Sequence, residues 1–180
     1  MCRDSDSRHG LYRYNPWASP TDPLTRHGRL PSTVMTSVGL LMEIHLGCLP
    51  DDARLQAGGE HLLANLPLVG DSRDDAPVGT LGNPQRDTYY WYYGTQAMFY
   101  LGGDYWQAWS RVLEPLLLES QSRDGQLAGS WNPLRPVPDK WSAYGGRLYV
   151  TAMNLLSLEI YSRRLPLESE SVPRMAQKPQ

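Results

Sequence analysis

Gly39-Leu-Leu-Met-Glu-Ile-His-Leu-Gly47 and Gly94-Thr-Gln-Ala-Met-Phe-Tyr-Leu-Gly102 decide the fold. Each is an apolar-rich segment closed by a glycine, which suits a helix and its stop. Each is followed within a few residues by an aspartate that can open a second helix. The pattern returns a third time, because Thr36-Ser-Val-Gly-Leu-Leu lines up with Thr151-Ala-Met-Asn-Leu-Leu. The successive offsets are 55 and 60 residues. A repeat of that length predicts an all-α chain of helical hairpins, here two hairpins and one further leading helix.

Working outward, the first hairpin covers about residues 32–67. Ser32 or Thr33 caps its leading helix, and Val34, Met35, Val38, Leu41, Met42 and His45 follow a helical period. Gly47 stops it. Asp51 caps the second helix, with Asp52 favoured by the helix dipole. Leu55, Gly58, Leu62, Leu63 and Leu66 line its inner face, and Pro67 ends it.

The second hairpin covers about residues 87–121. Asp87 caps its leading helix and Gly102-Gly103 stops it. Asp104 caps the helix that follows. There Tyr105, Trp106, Trp109, Val112, Leu113, Leu116 and Leu117 give a strong amphipathic stripe. Pro115 interrupts that helix and kinks it. The last helix is expected near 145–163, from Gly145 or Gly146, with Leu148, Ala152, Leu155, Leu156, Glu159 and Ile160 on one face.

Between these lie a Gly-, Pro- and Asp-rich loop at 67–86 and a second long loop at 121–143. Residues 1–31 form a Pro-rich N-terminal segment, and its aromatics Tyr12, Tyr14 and Trp17 predict that part of it packs on the helices. Residues 166–180 read as a polar, disordered tail.

Composition excludes several functions. Net charge is −2, so no basic excess is present to neutralise phosphates, and nucleic-acid binding is disfavoured. Cys2 and Cys48 make no disulfide framework, and the four histidines show no paired spacing for zinc. The start of the chain has no apolar signal segment, and no stretch is long enough for a membrane helix. A cytoplasmic location is the expectation. No cofactor is implied.

Specific residues carry a family resemblance. Gly10-Leu-Tyr-Arg-Tyr is similar to the glycine–aromatic opening of the prenyltransferase and squalene-oxidase repeat. Gln121, Asp124, Gly125, Gly129 and Trp131 resemble the Gln–Gly–Trp loop motif of squalene cyclases, although seven residues separate Gln121 from Gly129. Asp87 to Gly103 and Tyr144 to Ala152 are similar to inner-wall helices of these proteins. The resemblance spans about residues 10–165 and implies an α/α-toroid, here an incomplete ring. Repeats of this kind bury their faces only against neighbours. The expectation is therefore a piece of a longer protein or a unit that associates with a partner.

Catalytic residues do not emerge. Asp71-Ser-Arg-Asp74-Asp75 has the wrong spacing for the cyclase acid motif and reads as a solvated loop. His45 and Cys48 are two ligands at most, short of the prenyltransferase zinc set, and read as surface and core residues. Gly58-Gly59-Glu60-His61 lacks the cysteine of the thioester proteins. Asp87 and Asp104 could serve as paired glycosidase carboxylates, but capping explains both better.

The run Tyr89-Tyr90-Trp91-Tyr92-Tyr93 is read first as rings wedging hairpins together. On the resemblance, Tyr89, Tyr93 and Tyr149 would instead line a cavity for an apolar molecule. Arg147, at the unfavourable end of a helix dipole, needs Asp139, Asp87 or an anionic ligand. Two functions follow as expectations. One is a non-catalytic module that binds a protein partner or itself through open repeat faces. The other is a cyclase-like or prenyl-binding enzyme whose acid lies outside this sequence.

Overall fold

In the computed structural model, the described residues are 10–15, 31–69 and 86–162. They form five helices and no strand: α1 (Thr33–His45), α2 (Ala53–Leu63), α3 (Thr88–Leu101), α4 (Gly103–Ser120) and α5 (Ser142–Ser162). The only other element among them is a short 3-10 turn, Gly125–Leu127. Asp71, Asp74, Asp75, Trp17 and the expected tail lie outside the described residues.

The helix starts follow from side-chain caps. Ser32 accepts from the Met35 amide at 3.1 Å, Asp52 from Arg54 at 2.8 Å and Asp87 from Tyr90 at 3.0 Å. Each such cap is worth about 1 kcal/mol. Two expected caps move. Asp52, not Asp51, caps α2, because its extended backbone aims the carboxylate at Arg54. Asp104 lies within the first turn of α4, whose cap position is Gly102. Pro115 lies inside α4, which runs on to Ser120 without interruption.

The leading helices α1, α3 and α5 pack side by side, α1 on α3 and α3 on α5. Helices α2 and α4 stand behind them, α2 on α1, α4 on α3, and each touching the other. The core between the layers holds Leu40, Leu55, Leu62, Met98, Trp106, Trp109, Leu113 and Leu117.

On α1 and α5 most of the residues that follow the helical period are not the buried ones. On α1 the buried residues are Thr33, Thr36, Ser37, Gly39, Leu40 and Glu43, while Met42 and His45 are exposed. On α5 they are Val150, Asn154, Ser157 and Ile160, while Leu148, Ala152, Leu155, Leu156 and Glu159 face out. The physical reason is close approach. Small and polar side chains let neighbouring elements come together, whereas bulky ones would hold them apart. At Gly39 a Cβ would stand 2.2 Å from the Tyr12 ring, so only glycine admits that ring.

Tyr12 belongs to a short segment before α1 that is laid against the first hairpin. Its amide donates to Thr36 Oγ1 at 3.2 Å and its hydroxyl to Glu43 Oε1 at 3.2 Å. Arg54 completes the tie between helices, with Nη1 3.7 Å from Glu43 and a firmer pair to Asp52 at 3.0 Å. The Tyr12 part of the packing expectation thus holds.

Helix α5 starts at Ser142, earlier than the expected Gly145 or Gly146, but Gly146 breaks it with φ +55°. That left-handed conformation is open to glycine and strained for other residues. The main shaft therefore begins at Arg147.

Candidate functional site: an aromatic face at the start of α3

The site is built where chain from beyond α4 returns to the start of α3. Arg86 and Asp139 form a parallel bridge: the Arg86 amide donates to the Pro138 carbonyl at 2.9 Å, and the Lys140 amide to the Arg86 carbonyl at 2.7 Å. This brings Asp139 under the orphan amides of α3. Its Oδ2 accepts from the Thr88 amide at 3.0 Å and its Oδ1 from the Trp141 amide at 2.9 Å. One buried carboxylate thus anchors α3 and the approach to α5 together.

The charges are arranged around that carboxylate. Asp139 is 1% exposed and Arg86 1% exposed. Burial pulls the Arg86 guanidinium down from its ordinary value, and the Asp139 charge pushes it back up. Arg86 also donates from Nη2 to the Asn132 carbonyl. Lys140 Nζ lies 3.7 Å from Asp87 Oδ2 and 5.5 Å from the centre of the Trp141 ring. Lysine thereby supplies both an ion pair and a cation–π contact.

Aromatic rings gather beside this polar base. Tyr89 and Tyr93, one helical turn apart, have centroids 4.6 Å apart, and Tyr89 lies 6.4 Å from Trp141. Trp141 in turn lies 6.4 Å from Tyr144. Burial, then the neighbouring Tyr93, raises the Tyr89 hydroxyl to about 12. Burial raises Tyr149 further, aided by the charges of Asp139 and Asp87, with Thr88 beside its hydroxyl. The Tyr89 and Tyr149 hydroxyls are therefore neutral at pH 7.

The expected ligand residues Tyr89, Tyr93 and Tyr149 are thus gathered around the start of α3. Arg147 is not with them. Its Nη1 donates to Ser130 Oγ at 3.0 Å, and the expected ion pair to Asp139 or Asp87 is replaced by this neutral bond because both carboxylates are already engaged. The aromatic run divides its labour. Tyr90 and Trp91 are buried, with Tyr90 edge-on to Trp109 at 5.6 Å, while Tyr89, Tyr92 and Tyr93 are only partly buried.

The loop motif forms a separate clasp. Gln121 and Trp131 make an antiparallel bridge, and Gln121 Nε2 donates to the Gly129 carbonyl at 2.9 Å. The intervening residues fold into the 3-10 turn, which absorbs the extra sequence. Trp131 is buried, its Nε1 donating to the Leu117 carbonyl at 2.9 Å and its amide to Thr151 Oγ1 at 3.2 Å. The clasp ties the end of α4 to α5. Asp124 and Gly125 sit on its exposed turn.

Other candidate chemistry resolves into structure. Cys48 Sγ donates to Glu43 Oε2 at 3.2 Å, a bond that pushes the thiol pKa up. Among the described residues, no group of His, Cys, Asp and Glu could hold a metal ion, and no helix is long and apolar enough to cross a membrane. Sequence reasoning missed Arg86, Lys140 and Trp141. Trp141 was visible as an aromatic just after a Pro-rich loop, but Tyr89, which it meets, lies far away in the sequence.

A scan against protein-family models finds no match, and comparisons with curated proteins and with solved structures find no significant similarity.

Proposed function

We propose that this chain is a helical-hairpin repeat module of the squalene cyclase and prenyltransferase kind, working by binding through an open repeat face. One observation carries the reading. Helices α1 and α3 each have a hairpin partner behind them, and α5 has none among the described residues, leaving Leu148 83% and Leu155 51% exposed. Exposed apolar side chains aligned on one helix face mark an interaction site. The side-by-side packing of α1, α3 and α5 supports the toroid-type arrangement. The carboxylates near the aromatic face support a non-catalytic role, since Asp87 and Asp139 both hold helix-start amides.

The test supplies a hairpin partner. A peptide copying residues 102–121, the helix that covers α3, is added to the chain and amide exchange along α5 is followed. The expected result is slowed exchange between residues 147 and 162. Exchange unchanged at all peptide concentrations would remove the reading.

A second reading has its own observation, the convergence of Tyr89, Tyr93, Trp141 and Tyr149. Such a face suits an apolar or cationic small molecule. Titrating a prenyl-chain alcohol while following tryptophan fluorescence tests it. Quenching in the parent that is lost in Tyr89→Ala supports that reading, and no change excludes it.

A further inference from the structure

The aromatic face at the start of α3 already holds one ammonium group. Lys140 Nζ stands 5.5 Å from the centre of the Trp141 ring and 3.7 Å from Asp87 Oδ2. That is where a bound cation sits, over an indole and beside a carboxylate. The Lys140 backbone is fixed, its amide donating to the Arg86 carbonyl at 2.7 Å. Its side chain is a flexible four-carbon stem, 23% exposed, so the ammonium can withdraw to water while the bridge stays closed. An ion pair that long and that open contributes little to stability.

The surroundings select among ligands. Besides burial, the charges of Asp139 and Asp87 hold the Tyr149 hydroxyl up, so both carboxylates are felt among the rings and an anion is disfavoured. An apolar chain laid here would cover the Asp87–Lys140 pair and replace neither charge, which costs desolvation free energy. A ligand cation replaces Lys140 like for like and leaves the charge count unchanged. The rings suit a compact cation. Tyr89 with Tyr93, Tyr89 with Trp141 and Trp141 with Tyr144 meet at 48°, 57° and 54°, so their faces turn different ways and do not stack flat. Tyr144 is 87% exposed, which leaves an approach from solvent. An alkylated ammonium is more weakly hydrated than the lysine ammonium and gives up less to reach these rings.

We infer that this face binds a quaternary ammonium compound of the choline type, and that Lys140 is its tethered competitor, holding the cation position until the ligand displaces it. The inference rests on the small-molecule reading of the face and names its ligand class.

Calorimetric titration of the full chain with choline chloride at constant ionic strength tests it, beside the uncharged carbon isostere, neohexyl alcohol. The parent should bind choline more tightly than the alcohol. Lys140→Gln, which empties the cation position, should bind choline roughly ten-fold tighter than the parent, and Lys140→Arg should stay near the parent. Adding Asp87→Asn to Lys140→Gln should remove the gain, because asparagine still caps the Tyr90 amide but carries no charge. Helical circular dichroism shows that each variant is folded. Choline bound no more tightly by a folded Lys140→Gln overturns the inference, as does choline bound no better than the alcohol by the parent, a measurement that stands even where a variant unfolds. If the prenyl-chain alcohol binds at Tyr89 and choline does not, the ammonium assignment fails and the small-molecule reading stands. If neither binds, both fail.

Discussion

Trp109 lies against the bare backbone of Gly94: a Cβ there would stand 2.4 Å from the indole ring, while the indole N–H reaches Thr95 Oγ1 at 3.0 Å. The two residues lock α4 onto α3. Trp109→Ala should destabilise the second hairpin by about 3–5 kcal/mol. Gly94→Ala should cost about 1–3 kcal/mol by overpacking. Urea denaturation of both single variants and the double variant checks the pair. The double variant should cost less than the sum, since the smaller residue at 109 makes room for the methyl at 94.

Asp139 holds two backbone amides and faces the buried Arg86 charge. Asp139→Ala orphans the amides and leaves the guanidinium uncompensated, so a loss of about 3–5 kcal/mol is expected. Asp139→Asn keeps an acceptor for one amide and should lose less. Denaturation followed by tryptophan fluorescence measures both. Equal stability of all three proteins would show that the start of α3 is held elsewhere.

Asn154 runs the other way. It is buried against α3 at the position equivalent to Gly39 and Gly94, and neither side-chain amide atom has a hydrogen-bond partner. An unsatisfied buried amide costs about 1–3 kcal/mol. Asn154→Leu, of similar volume, should raise the midpoint of urea unfolding. A lowered midpoint would mean that water or a partner satisfies the amide in solution.

Tyr89, Tyr149 and Tyr161 should weaken the fold at alkaline pH. Burial holds all three hydroxyls above the ordinary 10.0. The folded chain thus keeps these protons more tightly than the unfolded one. Their contribution to stability is complete below pH 10 and drains away as pH rises, through about 12 for Tyr89. Thermal unfolding midpoints measured between pH 9 and 12 should fall, and Tyr89→Phe should flatten the fall.

The legible parts of the sequence were local. Ser32 and Asp87 as caps, and Gly47 and Gly102 as stops, act on amides and carbonyls within one turn, so their residue types announce them. The misplaced caps at Asp51 and Asp104 are neighbours of the true positions, where backbone angle decides and composition does not. The faces of α1 and α5 misled because hydrophobicity marks bulky residues, while these helices approach through Thr36, Gly39, Asn154 and Ser157. Tyr89, Tyr93 and Tyr149 were named together only on the family resemblance; Asp139 beneath them was not legible, since only the fold brings it beside Arg86.

The segment carrying Tyr12 also bears on the order in which the chain assembles. The ties of Tyr12 to Glu43 close a loop of 31 residues, whereas Trp109 meets Thr95 across 14. Shorter loops close at lower entropic cost, so the second hairpin can form as a local nucleus. The Tyr12 ring, which comes from outside the first hairpin, can settle over Gly39 later. Substitutions at Trp109 should therefore slow folding, and Tyr12→Ala should mainly hasten unfolding.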